Sequence, residues 1–142
     1  MREILFRGKT EKGEWVEGFY TKGFRYPDEE ELHDMIYSFL ADEENNEWRF
    51  YNAKVIPETI GQFTGLTDKN GKKIFEGDIV KIRRAYLNAG YEEDCFYKVD
   101  WHKYWNGWAL INIKDTQSCY LDNVIQGEVI GNIHDNPELL GE

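Results

Sequence analysis

The stretch Ile60-Gly-Gln-Phe-Thr-Gly-Leu-Thr-Asp-Lys-Asn-Gly-Lys-Lys-Ile-Phe-Glu-Gly-Asp-Ile-Val80 decides the fold class. Ile60 to Leu66 reads as a strand. Asp68-Lys69-Asn70-Gly71 follows it, and Asn-Gly between two β-type runs is the strongest short signal for a hairpin. Lys73-Ile74-Phe75 returns. Gly77 makes a tight corner beside Glu76 and Asp78, with the Asp78 carboxylate accepting from backbone N–H groups of the turn. Ile79-Val80-Lys81-Ile82 then leaves as the next strand.

The same grammar continues toward the C-terminus. Tyr86 to Asp94 reads as a polar loop, and Phe96 to Trp101 alternates as a strand. Asn106-Gly107 is a second hairpin turn, and Ala109 to Ile113 leaves it. Val124-Ile125 and Glu128 to Ile133 read as a last strand bent at Gly127. Asn136-Pro137-Glu138-Leu139-Leu140 reads as an N-cap, a proline at the first helical position and one short helical turn. Toward the N-terminus, Ile4-Leu5-Phe6 is a short strand broken at Gly8. Thr10 to Glu14 is a turn in which Gly13 supplies a positive φ, and Trp15 to Tyr20 is the strand that returns. Short strands separated by tight turns imply a small barrel.

Residues 28–47 read two ways. They hold Asp28, Glu29, Glu30, Glu31, Asp34, Asp42, Glu43, Glu44 and Glu47, with no Lys or Arg. Leu32, Met35, Ile36, Phe39 and Leu40 are spaced as one stripe of a helix. Met35 to Leu40 also forms a plausible strand, and residues 42–47 a polar turn into the aromatic run Trp48 to Tyr51. The turn and the aromatic run favour a hairpin, while the periodicity keeps the helix open.

The composition limits the function classes. The 142 residues are 41% hydrophobic and 15% aromatic, which is too much core-forming material for a disordered chain. Seventeen basic against 27 acidic side chains leave a net charge of −10, which disfavours nonspecific binding to phosphate backbones. No apolar run approaches the roughly 18–20 residues that span a bilayer. The first residues lack the apolar region of a secretory signal, so the chain reads as cytoplasmic. Cys95 and Cys119 read as reduced thiols rather than a disulfide framework.

An internal echo is present. Phe6-Arg-Gly-Lys-Thr10-Glu11-Lys12-Gly13, then Trp15-Val-Glu-Gly18, parallels Phe63-Thr-Gly-Leu-Thr67-Asp68-Lys69-Asn-Gly71, then Ile74-Phe-Glu-Gly77, with two one-residue gaps. Duplication and convergent turn chemistry both account for it. The two separate on whether the strand pairings agree.

The span Ile56 to Val80 resembles the signature of the YopX family of phage and prophage proteins. The opening Phe6-Arg-Gly-Lys with Gly13-Glu-Trp-Val-Glu-Gly18 is similar to that family's N-terminal portion. The tail Val129-Ile-Gly-Asn-Ile-His-Asp-Asn-Pro-Glu-Leu-Leu140 is similar to its end. The resemblance implies a β-rich protein with an SH3-like barrel in its C-terminal part, a phage or prophage origin in a bacterial host, and self-association. It supplies no catalytic residues to carry over.

Sites of reaction chemistry are sparse. His33, His102, His134, Cys95 and Cys119 show no metal-ligand spacing, and no metal or other cofactor is expected. There is no Gly-x-Ser-x-Gly, although Cys119 could in principle meet His102 or His134 in space. Turn glycines without a following Gly-Lys-Ser/Thr form no phosphate cradle. The best binding candidate is aromatic. Tyr97, Val99 and Trp101 share one strand face and should feed the core. Tyr104, Trp105 and Trp108 surround the Asn106-Gly107 turn, either packed at the hairpin tip or exposed as a partner surface.

The resulting expectation is a mainly β chain. Residues 1–53 form an N-terminal β-hairpin segment with an acidic insertion, and residues 54–142 an SH3-like barrel, the two making one compact unit. The function expected is non-enzymatic: a module that self-associates and binds a host or phage protein. Two alternatives stand beside it. Lys72, Lys73, Lys81, Arg83 and Arg84 could form a nucleic-acid patch, or residues 28–47 could mimic a phosphate backbone for a basic host protein.

Overall fold

The computed structural model of the chain describes residues 3–24 and 26–141, with backbone alone at 40, 42, 49 and 123–125. The chain divides between Phe63 and Thr64 into two compact units. This division falls inside a strand, whereas residues 53 and 54 lie at the end of an earlier one. Both units are built of antiparallel strands, and the only helices among the described residues are short 3₁₀ turns.

The first unit contains β1 (Phe6–Lys9), β2 (Trp15–Gly23), β3 (His33–Asp42), β4 (Glu47–Lys54), a 3₁₀ turn over Pro57–Thr59 and the start of β5 (Gly61–Thr67). The strands follow the order β4-β3-β2-β1-β5. Residues 33–54 are thus the hairpin, not the helix, with Phe39 opposite Phe50 and Ala41 opposite Trp48. Cross-strand aromatic pairs are available only to the hairpin, and they outweigh the helical spacing of Leu32, Met35, Ile36 and Phe39. Gly8 does not break β1. It pairs with Val16 within the strand, and Val55 packs so close over it that a Cβ there would come 2.9 Å from the Val55 Cβ.

The Asp34 side chain is buried in this unit. The Tyr20 hydroxyl donates to it at 2.5 Å and Lys22 Nζ approaches to 3.0 Å. The hydrogen bonds from Tyr20 and Lys22 outweigh its burial and hold the carboxyl below the usual aspartate range.

The second unit holds the rest of β5, β6 (Lys73–Phe75), β7 (Asp78–Tyr86), β8 (Tyr91–His102), β9 (Gly107–Asn112), β10 (Ser118–Tyr120) and β11 (Glu128–Asn132). Its main sheet has the order β10-β9-β8-β7-β11. Ile74, Val80, Ile82, Val99, Leu110 and Val129 are among the side chains that form its core. Neither sheet closes on itself, so the SH3-like barrel expected over 54–142 is not borne out. β10 and β11 end the run as separate edges.

Four further expectations change. The polar loop from Tyr86 to Asp94 is mostly strand, and only residues 87–90 turn. Arg83 binds Glu92 at 2.9 Å and Asp94 at 3.1 Å, and Tyr86 stacks on Tyr91 at 5.0 Å. These cross-strand pairs carry a ladder that hydrophobicity does not announce. Val124-Ile125 lie in a 3₁₀ turn (Leu121–Gln126) rather than a strand. The bend of the last strand is a bulge between Val129 and Gly131, not at Gly127. Finally, the Asn136 side chain does not cap the 3₁₀ turn Pro137–Leu140. Its Oδ1 instead accepts from the Asn132 N–H at 3.2 Å.

The echo resolves into one shared turn. Thr10 N–H donates to Glu14 O and Gly13 N–H to Thr10 O, both at 2.9 Å. Asp68 N–H donates to Lys72 O at 2.8 Å and Gly71 N–H to Asp68 O at 3.0 Å. The Thr10 hydroxyl and the Asp68 carboxylate each accept from the residue four positions on. Gly13 and Gly71 sit at φ +86° and +80°. The corners differ, however. Gly77 turns the chain at φ +87° after only three residues of β6, whereas Gly18 lies within the nine-residue β2. The likeness is therefore one of turn chemistry, not of a repeated strand arrangement.

Candidate functional site

The β8–β9 hairpin of the second unit ends in an aromatic stack. Asn106, at φ +50°, tightens the turn and brings Trp105 back over the end of β8. The Trp105 ring lies 4.2 Å from the His102 ring at 18°, and the Trp105 N–H donates to His102 Nδ1 at 3.2 Å. On its other side Trp105 stacks on Tyr120 at 4.7 Å and 26°. Tyr120 reaches this position because β10 pairs with β9, setting Tyr120 opposite Ala109. Tyr104 extends the surface, with Lys103 Nζ 4.9 Å from its ring. Tyr104 is 82% exposed, Tyr120 65% and Trp105 41%, so the rings are held in place by one another and remain open to a partner. Flat, preordered rings of this kind take up planar or apolar groups at low entropic cost.

Of the three rings around the Asn106-Gly107 turn, Tyr104 and Trp105 are exposed at the tip, whereas Trp108 is partly buried against the core and meets Trp101 edge-on at 5.1 Å. Trp101 is in turn about half exposed, so the face of Tyr97 and Val99 feeds the core only as far as Val99. His102 and Tyr120 complete the stack. Tyr120 could be found only by knowing the register of β10 on β9.

The first unit carries a second aromatic surface. Phe19 faces Tyr37, Tyr37 lies 5.6 Å from Phe50, Phe50 lies 5.1 Å from Phe39, and Trp48 follows two residues before Phe50. Alternation places all five on one face of β2, β3 and β4. Phe19 is 61% exposed, Phe39 59%, Phe50 52% and Trp48 75%. This ladder borders β4, the edge strand of its sheet. Its signal in the sequence is the i, i+2 spacing of Tyr37 with Phe39 and of Trp48 with Phe50, which a helical reading of 28–47 conceals.

The basic residues do not assemble into one surface. Lys72 and Lys73 stand at the β5–β6 turn. Along β7, alternation puts Lys81 and Arg83 on one face and Arg84 on the other. Arg83 is engaged by Glu92 and Asp94, and Arg84 donates to the Tyr97 hydroxyl at 2.7 Å and faces Cys119 at 3.8 Å. Burial pushes the Cys119 thiol up, against the pull of Arg84. The acidic residues of 28–31 and those of the β3–β4 turn stand at opposite ends of the ten-residue β3, about 30 Å apart. Among the described residues, no group of three or more His, Cys, Asp or Glu side chains is placed to hold a metal ion. No helix among them is long and apolar enough to cross a membrane.

Comparison with known proteins agrees with this picture of the fold. The chain is similar to a solved structure titled as the crystal structure of protein EF1440 from Enterococcus faecalis. The two share 24% identity over 99% of each chain, with a TM-score of 0.57. No curated protein matches. The YopX protein family model matches residues 5–141, nearly the whole chain. This chain is a member of the YopX family.

Proposed function

We propose that this chain is a phage-encoded, non-enzymatic binding module of the bacterial cytoplasm. It self-associates through the β2–β4 face and presents the Trp105 stack to a second protein of the host or the phage. The observation that carries the reading is the exposed ladder beside an open edge strand. At about 150–250 Å² per aromatic side chain, Phe19, Phe39, Phe50 and Trp48 leave roughly 500 Å² of ring surface in water. A standard interface buries about 800 Å² per partner, and the exposed backbone of β4 supplies much of the difference. A two-fold axis normal to the sheet would pair β4 antiparallel with its copy. It would keep both ladders on the same face, making one continuous strip.

Light scattering on the purified chain at micromolar concentration tests this. A dimer or larger closed assembly is expected. The double variant Trp48→Glu/Phe50→Glu should become a monomer with an unchanged circular-dichroism spectrum, because neither side chain enters the core. A monomeric parent chain removes the proposal.

A further inference from the structure

The open flank of β8 in the second unit belongs to neither aromatic surface. β8 is twelve residues long, but β9 pairs only with Tyr97–His102, and the last contact on that side is Ile113 N–H to Phe96 O at 2.9 Å. There the chain turns away. The turn is fixed by the Asn112 side chain accepting from Lys114 N–H at 2.8 Å and by Asp115 accepting from Gln117 N–H at 3.0 Å. Residues 91–95 of β8 pair with β7 on one side. Among the described residues, their other side has no strand beside it.

A cavity of about 560 Å³ lies along this flank, within the range of clefts that bind ligands. Phe96, Ile113, Leu139 and Leu140 give it apolar walls, with the last two carried by the C-terminal 3₁₀ turn. Glu93, Asp94 and Asp115 stand on its rim with Lys114 as the single cation among the described lining residues. Arg83 already occupies Asp94. Glu93, near the Cys95 thiol at 3.8 Å, and Asp115 carry the remaining negative charge.

We propose that this flank binds an extended peptide strand of another protein, in which apolar residues alternate with Lys or Arg. The strand would take the place that β9 vacates beyond Ile113. Its backbone would bond to Glu92 and Asp94, which point the same way as Phe96, its apolar side chains would enter the cavity, and its basic side chains would meet Glu93 and Asp115. Five residues of strand span about 17 Å, enough for a main-chain ladder to give affinity while the alternating pockets give selectivity. The site is separate from the β2–β4 face, so it stands or falls independently of self-association.

The probe is a fluorescein-labelled heptapeptide of alternating Val and Lys, titrated into the full chain by anisotropy. Saturable binding is expected, about tenfold weaker or worse for the Val/Glu peptide and for a Val/Lys peptide N-methylated on one edge. Leu140→Lys should weaken binding comparably, and amide exchange should slow at Glu92 and Asp94 on binding. Equal affinity for the N-methylated peptide would reduce the effect to charge attraction toward an acidic chain and overturn the proposal. So would protection confined to another region, or no binding at about 1 mM.

Discussion

Asp68→Ala is expected to lower the unfolding free energy by about 3 kcal/mol or more, a large fraction of a typical domain's stability. Asp68 is buried, and its two oxygens serve three backbone donors. Oδ1 accepts from Asn70 and Lys72 N–H, and Oδ2 from Val129 N–H, all at 2.9 Å. One carboxylate thus fastens the β5–β6 hairpin to β11. Removing it leaves the buried Val129 donor without its acceptor, the costliest way to lose a hydrogen bond. Burial pushes this carboxyl up, but the donors of Val129, Lys72 and Asn70 outweigh it and hold it below the ordinary aspartate range. A depressed folded value makes the contribution complete above the unfolded value, near 4, and loses it as the pH falls through the folded one. Asp34 has the same sign. Stability should therefore fall below about pH 4, and the acid limb should be shallower in Asp68→Asn than in the parent. Urea unfolding at neutral pH and across the acid range measures both. An Asp68→Ala chain as stable as the parent would show that the three donors find other acceptors.

Leu110→Ala should cost about 2–5 kcal/mol, while Tyr104→Ala should stay within about 0.5 kcal/mol. Leu110 is fully buried in β9 among Val80, Val99, Ile82 and Val129. The strands around it are tied by their ladders and cannot close the gap without shifting register. Tyr104 is the most exposed ring of the hairpin tip and supports no core side chain. Thermal unfolding of the two variants separates aromatic material that builds the fold from aromatic material held for contact. Similar losses in both would mean that the tip is part of the core.

Turns were the most legible part of the chain. Asn70-Gly71 and Asn106-Gly107 are local chemistry, and each makes the hairpin it implies. The Asp78 carboxylate accepts from Phe75 N–H at 2.8 Å at the Gly77 corner, as the residue types suggest. What failed needed partners distant in sequence. The charged run Glu92-Glu93-Asp94 reads as loop until Arg83 is seen across from it. Closure into a barrel cannot be inferred from strand number alone, because it depends on which edges meet. The stack at Trp105 was half visible: the turn delivers Tyr104 and Trp105, but Tyr120 arrives on β10. The ladder was visible only as the i, i+2 spacings within β3 and within β4, for a similar reason. Phe19, Phe39 and Phe50 come from three strands, and only their register puts them in a row.

The place of β11 sets an order of events in time. β7 to β10 join neighbour to neighbour through short turns, so each pairing closes a small loop. β11 must come back past all of them to lie on β7, with Val129 opposite Val80 and the Asp68–Val129 bond joining residues 61 apart. Closing so long a segment is entropically dear until the meander has shortened it. β11 is thus expected to be the last strand of this sheet to zip and the first to peel away. Its amides should exchange ahead of those at the centre of β8, and a weakened Asp68 clasp should quicken unfolding far more than it slows refolding.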